Sequence, residues 1–149
     1  MAVKVSLDFD EEFVDLGMVH ASIMSDFGVD TTMVFVKDIV YKFLPESYIH
    51  FWIKRLNNDV YDISGFLLEA SKDKNFKMEI KRNLVNYLGQ EMIDTIIMVA
   101  KTNMNFSVAA KKMYLHRNSL NYRIEKIHQM TDIDVKTFRG LRSLISTIE

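Results

Sequence analysis

Apolar and polar positions change period several times along the chain, and each change marks a new element. Val3-Lys4-Val5-Ser6-Leu7-Asp8-Phe9 alternates strictly, the period of a half-buried strand, and is the one convincing strand signal. From Asp10 to Phe27 the spacing turns helical: Phe13, Leu16, His20, Ile23 and Phe27 fall on one side, and Gly28 is a natural stop. Residues 31–44 fit two readings. Thr31-Thr32-Met33-Val34-Phe35-Val36 is β-branched enough for a second short strand, whereas Thr32 equally suits the cap of a helix through Ile39, Val40 and Phe43. Pro45 ends that element and opens a helix over residues 46–57. Asn57-Asn58-Asp59 forms a turn, and residues 61–70 read as a helix. Asp73 caps a longer helix through Phe76, Ile80, Leu84 and Leu88, which ends at Gly89. Residues 91–102 follow with Met92, Ile96 and Val99 inward. Asp134 is placed to cap a last helix bearing Phe138, Leu141, Leu144, Ile145 and Ile148.

The segment between these helices is the most particular. Ala109 and Ala110 are small residues where two helices must approach closely, and a short turn around residues 114–117 follows. Ser107 is placed to cap the first helix of the pair, with Val108, Ala109 and Met113 toward the core and Leu115 closing the turn. The second helix, residues 117–129, buries Leu120, Ile124 and Ile127. At about 100° per residue it turns Asn118, Tyr122, Glu125 and Gln129 outward, flanked by Ser119, Asn121 and Lys126. Two helices with this spacing and a hydrogen-bonding outer side make a helix-turn-helix, whose second helix enters the major groove of DNA.

Side-chain chemistry then sorts the outward residues. Arg can bridge the two acceptors of guanine and Asn the donor and acceptor of adenine, and recognition helices read base edges with their N-terminal residues. Arg117, Asn118, Asn121 and Tyr122 are therefore the base-edge candidates. Lys111, Lys112, Ser119, Arg123 and Lys126 are the phosphate candidates, which position the protein without reading sequence. Arg123 lies only about 60° from the buried stripe, so it either meets a phosphate or braces the fold through a carboxylate. His116 is either a cap or a DNA contact. Glu125 would repel phosphate unless it accepts from cytosine or pairs with Lys126 or Arg123.

His116-Arg117-Asn118-Ser119-Leu120-Asn121-Tyr122-Arg123-Ile124, with Ala110 before it and Ile127-His128-Gln129-Met130-Thr131 after it, resembles the C-terminal helix-turn-helix of PucR/CdaR-type bacterial transcriptional regulators. It is also similar to the DNA-binding end of Fis-like proteins. The resemblance covers residues 90–148. Met113 stands where the family has Leu, Ser119 where it has Thr, and Asp132 where it has Gly, which affects the turn before the last helix. The resemblance implies sequence-specific binding to duplex DNA as a dimer, with Arg117, Asn118 and Asn121 near the groove. Residues 1–90 do not resemble the family's longer sensory domains.

Charge supports this division. The net charge of the 149-residue chain is −1, yet residues 1–100 hold 10 basic and 16 acidic side chains, whereas residues 101–149 hold 9 and 4. A basic end on an acidic body is the asymmetry of a DNA-contacting module joined to one that does not bind DNA. The sequence reading is thus a mainly α protein. Residues 1–88 form an acidic helical domain for dimerisation, sensing or partner docking, with a short β element near residues 3–9. Residues 89–149 form the helix-turn-helix domain. The expected function is a bacterial transcriptional regulator binding duplex DNA as a homodimer, with an unknown small-molecule or protein effector acting on the N-terminal domain. The alternative is a protein–protein interaction module that keeps the helix-turn-helix fold without specific DNA binding.

Other chemistry is not indicated. There is no Cys, and His50 and His128 have no partners at metal-ligand spacing, so neither a metal nor a cofactor is expected. Asp8-Phe9-Asp10-Glu11-Glu12 lacks the spacing of a calcium loop and better suits a helix start. The five Gly are dispersed, no nucleophile motif occurs, and an enzyme is not expected. No apolar run reaches the roughly 18 residues of a membrane span, and the N-terminus lacks a signal-peptide core. A cytoplasmic protein is expected. Tyr48, Phe51 and Trp52 read as core or as a dimer anchor. Met18, Met24, Met33, Met92 and Met98 read as core filler or as an adaptable interface.

Overall fold

The computed structural model describes residues 15–28 and 30–149. The alternating segment at residues 3–9, the acidic run at 8–12 and Phe13 lie outside the described residues. Within them the protein is mainly helical, and most helix starts are chemically explicit. α1 (Leu16–Phe27) is capped by Asp15, whose carboxylate accepts from the Gly17 and Met18 N–H groups, and Gly28 closes it in the left-handed region at φ 61°. Of the apolar side expected for this helix, His20 is buried and its Nε2 donates to the Thr31 carbonyl at 2.7 Å. Phe27, in contrast, is exposed.

The ambiguous segment after α1 opens as the short strand of one reading and continues as a brief 3-10 helix, not as the Thr32-capped helix of the other. β1 (Met33–Phe35) is followed by a 3-10 helix over Asp38–Lys42. Thr32 caps no helix; its hydroxyl donates to the Asn57 carbonyl. α2 (Glu46–Ile53) begins after Pro45 and stops four residues short of the expected end. β2 (Val60–Asp62) pairs with β1 in parallel, Met33 opposite Val60 and Phe35 opposite Asp62. The helix expected over residues 61–70 therefore starts at Ile63: Tyr61 and Asp62 belong to the strand, and the Asp62 carboxylate caps α3 (Ile63–Ala70) by accepting from Gly65 N–H at 2.7 Å. α4 (Lys74–Leu88) is capped by Asp73 and ends at Gly89, and α5 (Gln90–Lys101) follows, both as the spacing predicts.

α6 (Phe106–Lys112), α7 (Arg117–Thr131) and α8 (Phe138–Ile148) complete the chain. Two expected caps are displaced. Asn105, not Ser107, caps α6 by accepting from Val108 N–H. The chain turns sharply after α5 through left-handed Asn103 and Met104 and reaches helical geometry two residues early. Thr137, not Asp134, caps α8 by accepting from Gly140 N–H. Ile133 and Val135 are both fully buried, and Thr137 N–H donates to the Asp134 carbonyl, so a turn over residues 134–137 precedes the helix. Phe138 is consequently a first-turn residue and exposed, whereas Leu141, Leu144 and Ile148 are buried.

One hydrophobic cluster runs from Val40 to Ile148. α8 packs on α3, α4 and α5, and α7 packs on α5, α6 and the 3-10 helix. Ser71, at the end of α3, and Thr147, on α8, share a buried hydrogen bond at 3.0 Å. The recognition-helix candidate α7 is thus carried on α5, which is itself embedded in the common core.

Candidate nucleic-acid interface

α6 and α7 form the expected helix-turn-helix. Ala109 and Ala110 are buried, and their small side chains let α6 lie close to α5 and α7. Val108, expected inward, is 40% exposed; with Asn105 as cap, the inward side of α6 falls on Ala109, Ala110 and Met113. The turn is closed by Tyr114 N–H donating to the Lys111 carbonyl and Leu115 N–H donating to the Ala110 carbonyl. His116 is the cap of α7: its Nδ1 accepts from Asn118 N–H at 3.2 Å. The ring is engaged at the helix start, as one of its two sequence readings expects.

Along α7 the expected division of sides is observed. Leu120, Ile124 and Ile127 are buried, and burial of side chains of this size contributes roughly 1.5–3 kcal/mol each. Arg117, Asn118, Ser119, Asn121, Tyr122, Glu125, Lys126 and Gln129 are exposed, as are Lys111 and Lys112 at the end of α6. The four base-edge candidates and four of the five phosphate candidates are therefore all solvent-exposed. A shallow depression of about 380 Å³ is lined by Asn118, Ser119, Tyr122, Arg123 and Lys126 on α7 and by Glu91 and Met92 in the first turn of α5.

Arg123 is placed differently. Its side chain is 18% exposed, and its guanidinium lies 2.5 Å from the Glu91 carboxylate at the start of α5. The carboxylate partner that one of its two readings expects is present as Glu91. Glu125 pairs with Lys136, in the loop before α8, and with neither Lys126 nor Arg123. Sequence reasoning missed this partner because Lys136 is eleven residues away, and only the turn at Asp132 folds it back. That turn keeps the left-handed conformation that a Gly would favour: Asp132 has φ 58° and ψ 22°, and its carboxylate pairs with Lys37 at 3.1 Å.

Residues 92–145 match the PucR C-terminal helix-turn-helix domain. Among curated relatives, the chain is 37% identical over 75 residues to an uncharacterized protein, YxkF, of Bacillus subtilis strain 168, covering 50% of this chain and 25% of that protein. It is 28% identical over 96 residues to the proline-responsive transcriptional activator PutR of the same organism, covering 64% of this chain and 22% of PutR. The chain thus spans about a quarter of the length of these relatives. No solved structure matches. Among the described residues, no helix is long and apolar enough to cross a membrane. Over residues 92–145 the α5–α8 segment thus carries a helix-turn-helix similar to the C-terminal domain of PucR-type regulators.

Proposed function

We propose that this chain is a non-catalytic, cytoplasmic transcriptional regulator that binds duplex DNA as a homodimer, with α7 laid in the major groove. The observation that carries the reading is the surface of α7. Within a domain of the PucR helix-turn-helix type, one side is locked into the core by Leu120, Ile124 and Ile127 while Arg117, Asn118, Asn121 and Tyr122 remain free to meet base edges. Lys111, Lys112, Ser119 and Lys126 supply phosphate contacts around them, and Arg123 holds α7 on α5. Pairing of Glu125 with Lys136 offsets the carboxylate on α7 that would oppose a phosphate. Residues 1–88 supply the dimerising or effector-docking half. A dimer is favoured because one recognition helix touches few base pairs, and a two-fold partner adds a half-site one helical turn away.

The test is fluorescence anisotropy with a random duplex pool at two salt concentrations, followed by selection of bound sequences. Salt-sensitive binding that enriches a two-fold symmetric site is expected. Asn118→Ala and Asn121→Ala should each relax base discrimination by about 1–3 kcal/mol. Lys111→Ala and Lys112→Ala should weaken all sequences alike and flatten the slope of log affinity against log salt by about 0.9 each. No binding at low salt would refute the reading and favour an interaction module in its place.

A further inference from the structure

Four non-glycine residues among those described adopt left-handed φ: Asn103 at 50°, Met104 at 62°, Tyr114 at 55° and Asp132 at 58°. Asn and Asp tolerate this region because their short polar side chains interact with the local backbone. Met104 packs against the core, so its contacts compensate the conformation. Tyr114 has neither compensation. It is bulky, and it is 97% exposed, so its ring gains almost nothing from its own fold.

The position is fixed by how α6 ends. Tyr114 N–H donates to Lys111 O at 3.2 Å and Leu115 N–H to Ala110 O at 2.9 Å. These are the paired bonds of a Schellman turn, whose left-handed residue is ordinarily Gly. A large aromatic is thus held where the backbone prefers no side chain. It stands two residues after the Lys111–Lys112 pair and two residues before the His116 cap of α7. Strain of this kind that is unrelieved within the fold points to a role outside it.

We propose that Tyr114 is a DNA-backbone contact, its phenol donating a hydrogen bond to a phosphate oxygen at the edge of the groove that α7 enters. The proposal rests on the DNA-binding reading above. Tyrosine hydroxyls make such contacts, and they position the protein without reading sequence. Being uncharged, the contact releases no counterion, so it strengthens binding to every sequence without steepening the salt dependence.

The test measures Tm and duplex affinity for the full chain and for Tyr114→Phe and Tyr114→Gly. Tyr114→Gly should raise Tm by about 2–4 °C, because the turn is relieved, yet bind DNA about fivefold to tenfold more weakly. Tyr114→Phe should leave Tm unchanged and bind about fivefold more weakly, with the salt slope of the parent chain. A turn residue with no external role would give the rise in Tm alone. Parent-like affinity of Tyr114→Phe overturns the proposal and leaves the DNA-binding reading intact. Failure of the parent chain to bind any duplex at low salt overturns both.

Discussion

The Arg123 guanidinium on α7 lies 2.5 Å from the Glu91 carboxylate in the first turn of α5, so the recognition-helix candidate is clamped to the helix beneath it by one ion pair. Arg123 is mostly covered and Glu91 is 61% exposed, which places the pair at a solvent margin where such contacts contribute about 0.2–1 kcal/mol. Its larger consequence is for charge. With its guanidinium committed to Glu91, Arg123→Ala should lower stability slightly and leave the salt slope of DNA binding unchanged. Glu91→Gln should release the guanidinium toward phosphate and steepen that slope by about 0.9. Anisotropy titrations across salt concentration distinguish the two, and a flatter slope in Arg123→Ala would contradict the clamp.

Asp132 occupies a left-handed position at the end of α7, where Gly carries no steric penalty. Asp132→Gly relieves that penalty but loses the pair with Lys37 and adds freedom to the unfolded chain, so stability should change by less than about 0.5 kcal/mol. Asp132→Ala loses the pair and keeps the penalty, and should cost about 1 kcal/mol. Urea unfolding of the two variants measures the difference.

Gly140 in the first turn of α8 has no room for a side chain. A Cβ there would lie 2.1 Å from the Asp134 carbonyl oxygen and 2.9 Å from the Thr137 hydroxyl. Both atoms belong to the cap that starts the helix. Gly140→Ala must therefore displace backbone, and should destabilise the chain by about 2–3 kcal/mol in denaturant unfolding. An unchanged midpoint would show that α8 can start elsewhere.

Stability should fall in alkali. The Tyr48 phenol is raised above its ordinary value of 10.0 chiefly by its hydrogen bond to Glu79, and the Tyr61 phenol chiefly by burial. Pairing with Glu125 likewise raises the Lys136 ammonium above 10.5. Each folded-state pKa lies above the unfolded value, so each contribution is complete below about pH 10 and is lost as pH rises through the folded pKa. Tm followed by circular dichroism should decline above pH 10, and Tyr61→Phe should blunt the decline.

Long periodic elements were legible from the residues alone. The inward stripes of α4, α5 and α7 are as the 3.6-residue spacing predicts, because in each case burial repeats over several turns. The three-residue strands were not all legible. β2 is too short to establish a period and runs directly into the apolar start of α3, so only its pairing with β1 reveals it. The displaced caps at Asn105 and Thr137 show a second limit. Several Ser, Thr, Asn or Asp residues stand near each helix start; the left-handed turn at Asn103 and Met104 selects Asn105, and burial of Ile133 and Val135 goes with Thr137. In the candidate site, the exposed side of α7 was readable by rotation, but the partners of Arg123 and Glu125 lie on other elements and needed the fold.

The seam between α3 and α8, pinned by Ser71 and Thr147, has a practical consequence for anyone isolating the helix-turn-helix segment. Cutting near residue 88 would remove the cover from the apolar face of α8. The resulting fragment would carry a sticky stripe absent from the parent molecule, and any clumping it displayed would report the scissors rather than biology.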